Sequence, residues 1–138
     1  MKSMAGCLLV LLLSLGMAVE AAKLIAHPSV PQDQLSKNAA RLVFSLRLTR
    51  WPDGSGVRVF VLPDNAPLHR QFSKQRLGLF PHQLRRVWDR QLYTGTGQVP
   101  VEVASEEEML SRVRSTPGAV GYLSEEVSDE NIKELDIE

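Results

Sequence analysis

The chain opens on one early charge, Lys2, then an apolar run from Cys7 to Leu15 broken only by Ser14, then small residues from Gly16 to Ala22. This layout predicts an exported precursor with a leader over residues 1–21, cut after Ala21, with Ala18 as a second cutting position. The apolar run is shorter than the roughly 20 residues that cross a bilayer. Cys7 precedes the run instead of following it, so a lipidated N-terminus is not expected.

Beyond the leader, short β-rich runs alternate with stretches of helical spacing. Leu24 to His27, ended by Pro28 and Pro31, predicts a first strand. Ser36 is a good helix cap, Ala39, Ala40, Val43 and Phe44 follow at helical spacing, and Leu35 sits where a hydrophobic staple belongs; a helix over 37–46 is expected. Residues 51–56, Trp-Pro-Asp-Gly-Ser-Gly, form a turn by composition, and Val57 to Leu62 is a strand closed by Pro63. Pro67 opens a helix with Leu68 and Phe72 on its buried stripe, running to Leu77 and stopped by Gly78. Pro81 opens another, with Leu84, Val87, Trp88 and Leu92 on one apolar face. Val99 to Ala104 is expected as a strand. Ser105 with Glu108 is a capping box that starts a helix with Met109, Leu110 and Val113 on its core side. Pro117-Gly118 turns the chain into a strand over Ala119 to Leu123, and Ile132 to Ile137 is expected as a final edge strand after a loosely held acidic stretch, Ser124 to Asn131. Alternation of this kind predicts the α/β class, and residues 22–138 are enough for one domain with one core.

Charge changes the picture only when its position is considered. The chain carries 16 basic and 16 acidic residues. Residues 41–90 hold ten arginines and lysines against Asp53, Asp64 and Asp89, whereas residues 101–138 hold eleven acids against Arg112, Arg114 and Lys133. Two readings follow: solvated faces that neutralise each other, or a basic face for an anionic ligand or partner. Nucleic acid is not expected, because no aromatic and basic motif accompanies the charge. The one cysteine lies in the leader, so residues 22–138 can form no disulfide and must be held by packing.

Three segments resemble a known family: His27-Pro28-Ser29-Val30-Pro31, then Phe44 with Thr49-Arg50-Trp51-Pro52-Asp53-Gly54, then Thr116-Pro117-Gly118-Ala119-Val120-Gly121-Tyr122. Together they resemble the phosphate-binding-protein-like branch of periplasmic solute-binding proteins. The resemblance implies an α/β fold with a mixed sheet flanked by helices, and it implies a single lobe of a structure usually built from two lobes closing on a ligand. It further implies a periplasmic location, a small oxyanion such as phosphate as ligand, and a membrane transporter or sensor protein as partner. In the family the second lobe offers an arginine and a Ser-Gly-Thr run at a helix start. The matching place here reads Pro63-Asp64-Asn65-Ala66-Pro67-Leu68-His69-Arg70: the hydroxyls are gone, Pro67 donates no N–H, and Asp64 repels an anion. Weak or absent phosphate binding is therefore expected, with loss of the ligand in favour of a protein-interaction role as the alternative.

His69 and Arg70, in the first turns of that helix, are candidates to replace the lost donors, or else are solvated residues on an amphipathic helix. Thr94-Gly95-Thr96-Gly97 is a second candidate, an anion nest of amides and hydroxyls, or else a connecting turn. No metal site is expected, since His27 and His82 have no ligand-spaced partners. No cofactor or catalytic residue is expected either: no nucleophile elbow is present, and Glu106 to Glu108 are explained by the helix dipole. Both tryptophans are expected in the core or partly covered, with Trp51 beside Pro52 the more exposed and the one available to an interface.

Overall fold

The computed structural model describes residues 22–94 and 98–138, so residues 1–21, expected as a leader, and Gly95, Thr96 and Gly97 lie outside the described residues. Six strands form one mixed sheet: β1 (Lys23–Ala26), β2 (Gln34–Leu35), β3 (Arg58–Val61), β4 (Val101–Glu102), β5 (Ala119–Leu123) and β6 (Lys133–Ile137). Their order across the sheet is β2-β6-β1-β5-β3-β4. β1 runs antiparallel to both β5 and β6, while β3 runs parallel to β4 and β5. The helices are α1 (Lys37–Phe44), α2 (Pro67–Phe72) continued by a π-helical turn (Ser73–Leu77), α3 (Pro81–Tyr93) and α4 (Glu106–Ser115).

Local chemistry sets the helix ends. The Ser36 hydroxyl accepts the Ala39 amide at 3.0 Å and the Ser105 hydroxyl accepts the Glu108 amide at 3.1 Å, as side-chain caps do. Glu108 reaches one residue further back than a capping box requires, to the Ala104 amide. Three glutamates in the first turn of α4 and Arg112 and Arg114 in its last turn complement the helix dipole.

Successive residues of a strand point to opposite faces of the sheet, and β5 shows what covers each face. A Cβ on Gly121 would lie 2.5 Å from Met109 Sδ and 3.1 Å from Val113 Cγ2, so α4 sits directly on that face. Tyr122 points the other way, stacked on Phe72 at 4.2 Å and beside Phe44, which places α1 and α2 there. All five residues of β5 are buried, as befits a strand covered on both sides.

Four expectations need correction. Trp51 is buried, only 2% exposed, because its indole N–H donates to the Gly118 carbonyl at 3.0 Å, a partner 67 residues away. β6 is not an edge strand: β2, only two residues long, pairs in parallel outside it. Leu92 is 56% exposed, since the apolar face of α3 is spent on Leu84 and Trp88 before the last turn. The strand expected over Val99 to Ala104 contracts to Val101–Glu102.

Candidate functional site

The end of β3 is where the sequence places its best candidates, and four elements meet there. β3 passes through Leu62 and Pro63 to Asp64, and α2 then begins with Pro67 behind Ala66, which offers no side-chain cap. His69, Phe72, Ser73 and Leu77 recur at helical spacing and are all buried, so they form the inward face of α2 and the turn after it. His69 is fully buried, and Arg70, one residue on, is exposed. The pair named together in the sequence is thus divided between core and solvent.

The buried histidine belongs to a chain of hydrogen bonds. The Leu62 amide donates to the Tyr122 hydroxyl at 2.8 Å, and that hydroxyl contacts His69 Nδ1. With its oxygen already accepting from Leu62, the tyrosine uses its proton toward Nδ1, which assigns the neutral imidazole its proton on Nε2. Nε2 has no hydrogen-bond partner among the described residues and lies 4.0 Å from Asp64 Oδ1. Burial holds the His69 pKa below its ordinary value; Asp64 opposes the shift and Arg85 adds to it. Burial likewise raises the Tyr122 pKa, with the Leu62 amide opposing, so the hydroxyl stays protonated.

Asp64 in turn is gripped by Arg85 from α3. Arg85 Nε and Nη2 donate to the two carboxylate oxygens at 2.9 and 2.8 Å, the paired geometry that makes guanidinium and carboxylate strong partners. Arg85 also packs over the Trp88 ring at 5.1 Å. The hydrogen bond from Arg85 holds the Asp64 carboxyl below the usual range despite partial burial, and raises the Arg85 pKa reciprocally. The arrangement therefore fixes an anion beside a cation at the end of β3, and the anion is the protein's own. Arg85 and Tyr122 were missed as site residues. The signal for Arg85 lay in its opposite charge to Asp64, but the contact spans 21 residues and no local spacing reveals it.

Arg70 takes no part in this cluster. Thr94 is exposed at the C-terminal cap of α3, its hydroxyl donating to the Gln91 carbonyl at 3.2 Å. That end of a helix carries partial negative charge. The remainder of the second candidate, Gly95, Thr96 and Gly97, falls outside the described residues.

The segments that carried the family resemblance hold one another. The Ser29 hydroxyl accepts the Gly118 amide at 2.9 Å, and Trp51 donates to the Gly118 carbonyl. Gly118 has φ +79°, and a Cβ there would sit 2.1 Å from the Gly56 carbonyl oxygen, so only glycine closes this junction. These residues weld the turns at one end of the sheet.

No family model matches the sequence, and no curated protein does. Among solved structures, the chain is similar to a protein described as a phosphate ABC transporter substrate-binding protein with bound phosphate from Clostridium perfringens, at 16% identity and a TM-score of 0.68 over 85% of this chain and 44% of that one. It is similar also to an ABC-type phosphate transport receptor from Vibrio cholerae (13% identity, TM-score 0.58, 85% and 46%) and to PstS from Borrelia burgdorferi (11%, 0.58, 85% and 47%). The chain spans less than half the length of each. At these identities the likeness shows the fold: an α/β domain with a mixed six-stranded sheet and flanking helices, like part of a phosphate-transport binding protein.

Proposed function

We propose that the chain is an exported, non-enzymatic binding module that acts by docking to another protein, a membrane transporter or sensor, and that it holds phosphate weakly or not at all. The observation that carries this reading is the Asp64 carboxylate seated on Arg85. A free oxyanion would compete with a carboxylate tethered beside its cation, and a tethered group acts at an effective concentration in the millimolar range or above. Pro67 supplies no amide and Ala66 no hydroxyl to help the newcomer. Exposed Arg70 favours a second reading, a weak oxyanion site on the outer side of α2, with Thr94, Gly95, Thr96 and Gly97 as the other place for it.

Titration calorimetry of residues 22–138 with inorganic phosphate tests the proposal. The expected dissociation constant is about 1 mM or weaker. Asp64→Asn should tighten binding by about tenfold or more, because it removes the competing charge and leaves Arg85 in place. Micromolar binding by the unaltered protein would overturn the proposal. Export is tested by mass spectrometry of the protein outside the cytoplasm, which should find a new N-terminus between residues 19 and 23; an intact Met1 would contradict it.

A further inference from the structure

Resting on the docking reading and extending it to the partner's chemistry, we infer that the partner presents a segment of mixed acidic and apolar side chains, seated in a groove along α1 and the loop at residues 78–80. The groove has an apolar floor in two adjoining depressions that share Leu79. One, of about 150 Å3, lies among Lys74, Gly78, Leu79 and Phe80. The other, of about 330 Å3, includes Leu42, Arg47, Leu79 and Val87 in its lining. An apolar cavity of about 150 Å3 holds a group the size of benzene, so each depression has room for a side chain. Phe80, 51% exposed, stands at the wall of the first.

Cations rim this floor. Lys37 Nζ and Arg41 Nη2 lie 3.3 and 3.1 Å from the point a Cβ on Gly78 would occupy, so both α1 side chains lie over the loop that Gly78, at φ +68°, allows to turn. Arg41 Nε is anchored on the Leu77 carbonyl at 2.9 Å, which holds the guanidinium while leaving its terminal nitrogens to donate. Lys74 Nζ sits 5.6 Å above the Phe80 ring, and Arg47 borders the second depression.

Among the described residues, no carboxylate forms an ion pair with these four. Ion pairs form at other places, Lys23 with Glu126, Arg114 with Asp129 and Lys133 with Asp33, and what sets these four apart is that they cluster around one apolar floor. Glu138 comes near α1 through its backbone carbonyl, which accepts the Lys37 amide, yet forms no ion pair with Lys37. Asp89 acts on Arg85 and lies two residues, hence about 200°, around α3 from Val87. Like charges kept together without counter-ions favour an acidic partner and repel a basic one. The concave apolar floor distinguishes the occupant: an inorganic anion gains nothing from Leu42, Leu79 and Phe80, and a membrane surface does not enter two depressions.

Amide chemical shifts of labelled protein, residues 22–138, test the inference, with a synthetic peptide repeating Glu-Leu-Glu-Phe as probe. Saturable shifts are expected at Leu42 to Arg47 and at Gly78 to Phe80. Lys37→Glu combined with Arg47→Glu, two exposed positions, should weaken binding about tenfold or more. Equal binding of the matching Lys-Leu-Lys-Phe peptide, or no shift in the groove, would overturn the inference. So would the same shifts produced by phosphatidylglycerol vesicles in place of the peptide, or by raising protein concentration alone, which would give the groove to a lipid surface or to a second copy. Shifts confined to another face would overturn the groove while leaving the docking role intact. Micromolar phosphate binding would remove the docking role whatever the peptide does.

Discussion

The two faces of the sheet are built on different principles, although they share the strand β5. On the α4 face, Gly121 brings Met109 and Val113 onto the strand and the contact there is apolar. On the opposite face, Tyr122, His69, Asp64 and Arg85 make a polar chain running from the buried Leu62 amide to the surface. The first face depends on shape and is indifferent to protons. The second depends on the hydrogen bonds of Tyr122 and of Asp64 with Arg85, leaves His69 Nε2 without a hydrogen-bond partner among the described residues, and makes the domain sensitive to acid.

The sharpest way to break this comparison is Tyr122→Phe. It leaves the Leu62 amide and His69 Nδ1 buried without partners, and each orphan costs about 1–3 kcal/mol, so a loss of about 2–6 kcal/mol is expected in urea unfolding. A loss under about 0.5 kcal/mol would show that the hydroxyl does not knit that face. Gly121→Ala probes the other face: its methyl would press on Met109, and overpacking of this kind costs about 1–3 kcal/mol. Because only apolar groups are disturbed, the loss should be equal at pH 7 and pH 5. An effect that varies with pH would show coupling across the sheet.

Acid should separate the faces further. The folded protein holds the His69 pKa below the unfolded value of about 6.5, so between the two values the unfolded chain binds more protons. Stability is then complete above about pH 6.5 and falls as pH drops toward the folded pKa, by at most about 1.4 kcal/mol per pH unit. His69→Gln should flatten that slope. The smallest effect belongs to Asp64, whose folded pKa is depressed: its contribution is present above about pH 3.9 and is lost as pH falls through the folded value. Its carboxylate is 36% exposed, so Asp64→Asn should cost no more than about 1 kcal/mol at pH 7 and nothing at strongly acid pH.

Elements with their own punctuation were legible in the sequence. α1 and α4 follow from Ser36 and Ser105, α3 from Pro81, and β5 from its apolar run after Pro117-Gly118. What escaped depended on distant partners. β2 is two residues long and exists because β6 lies beside it, and no periodicity can announce two residues. β6 alternates charged and apolar side chains and so resembles an edge, although β2 covers it. At the site, Leu68 and Phe72 suggested the buried stripe, whereas the inward face runs through His69, Phe72, Ser73 and Leu77. The offsets of three, four and eight from His69 were available, but a histidine on a helix surface is not by itself a reason to bury it. Trp51 was misplaced because its indole partner lies on the far side of the chain.

The sheet order also determines when the domain can come into being. Among the described residues β1 pairs with β5 and β6 alone, so Leu24 must wait for Tyr122 and Leu135 to be made before it has a strand beside it. Contacts so distant in sequence imply a high contact order and slow folding, with the loop-closure cost met before any sheet pairing of β1 compensates it. A nascent chain lacking its last twenty residues would have no middle to its sheet, and β1 would remain an unpaired ribbon.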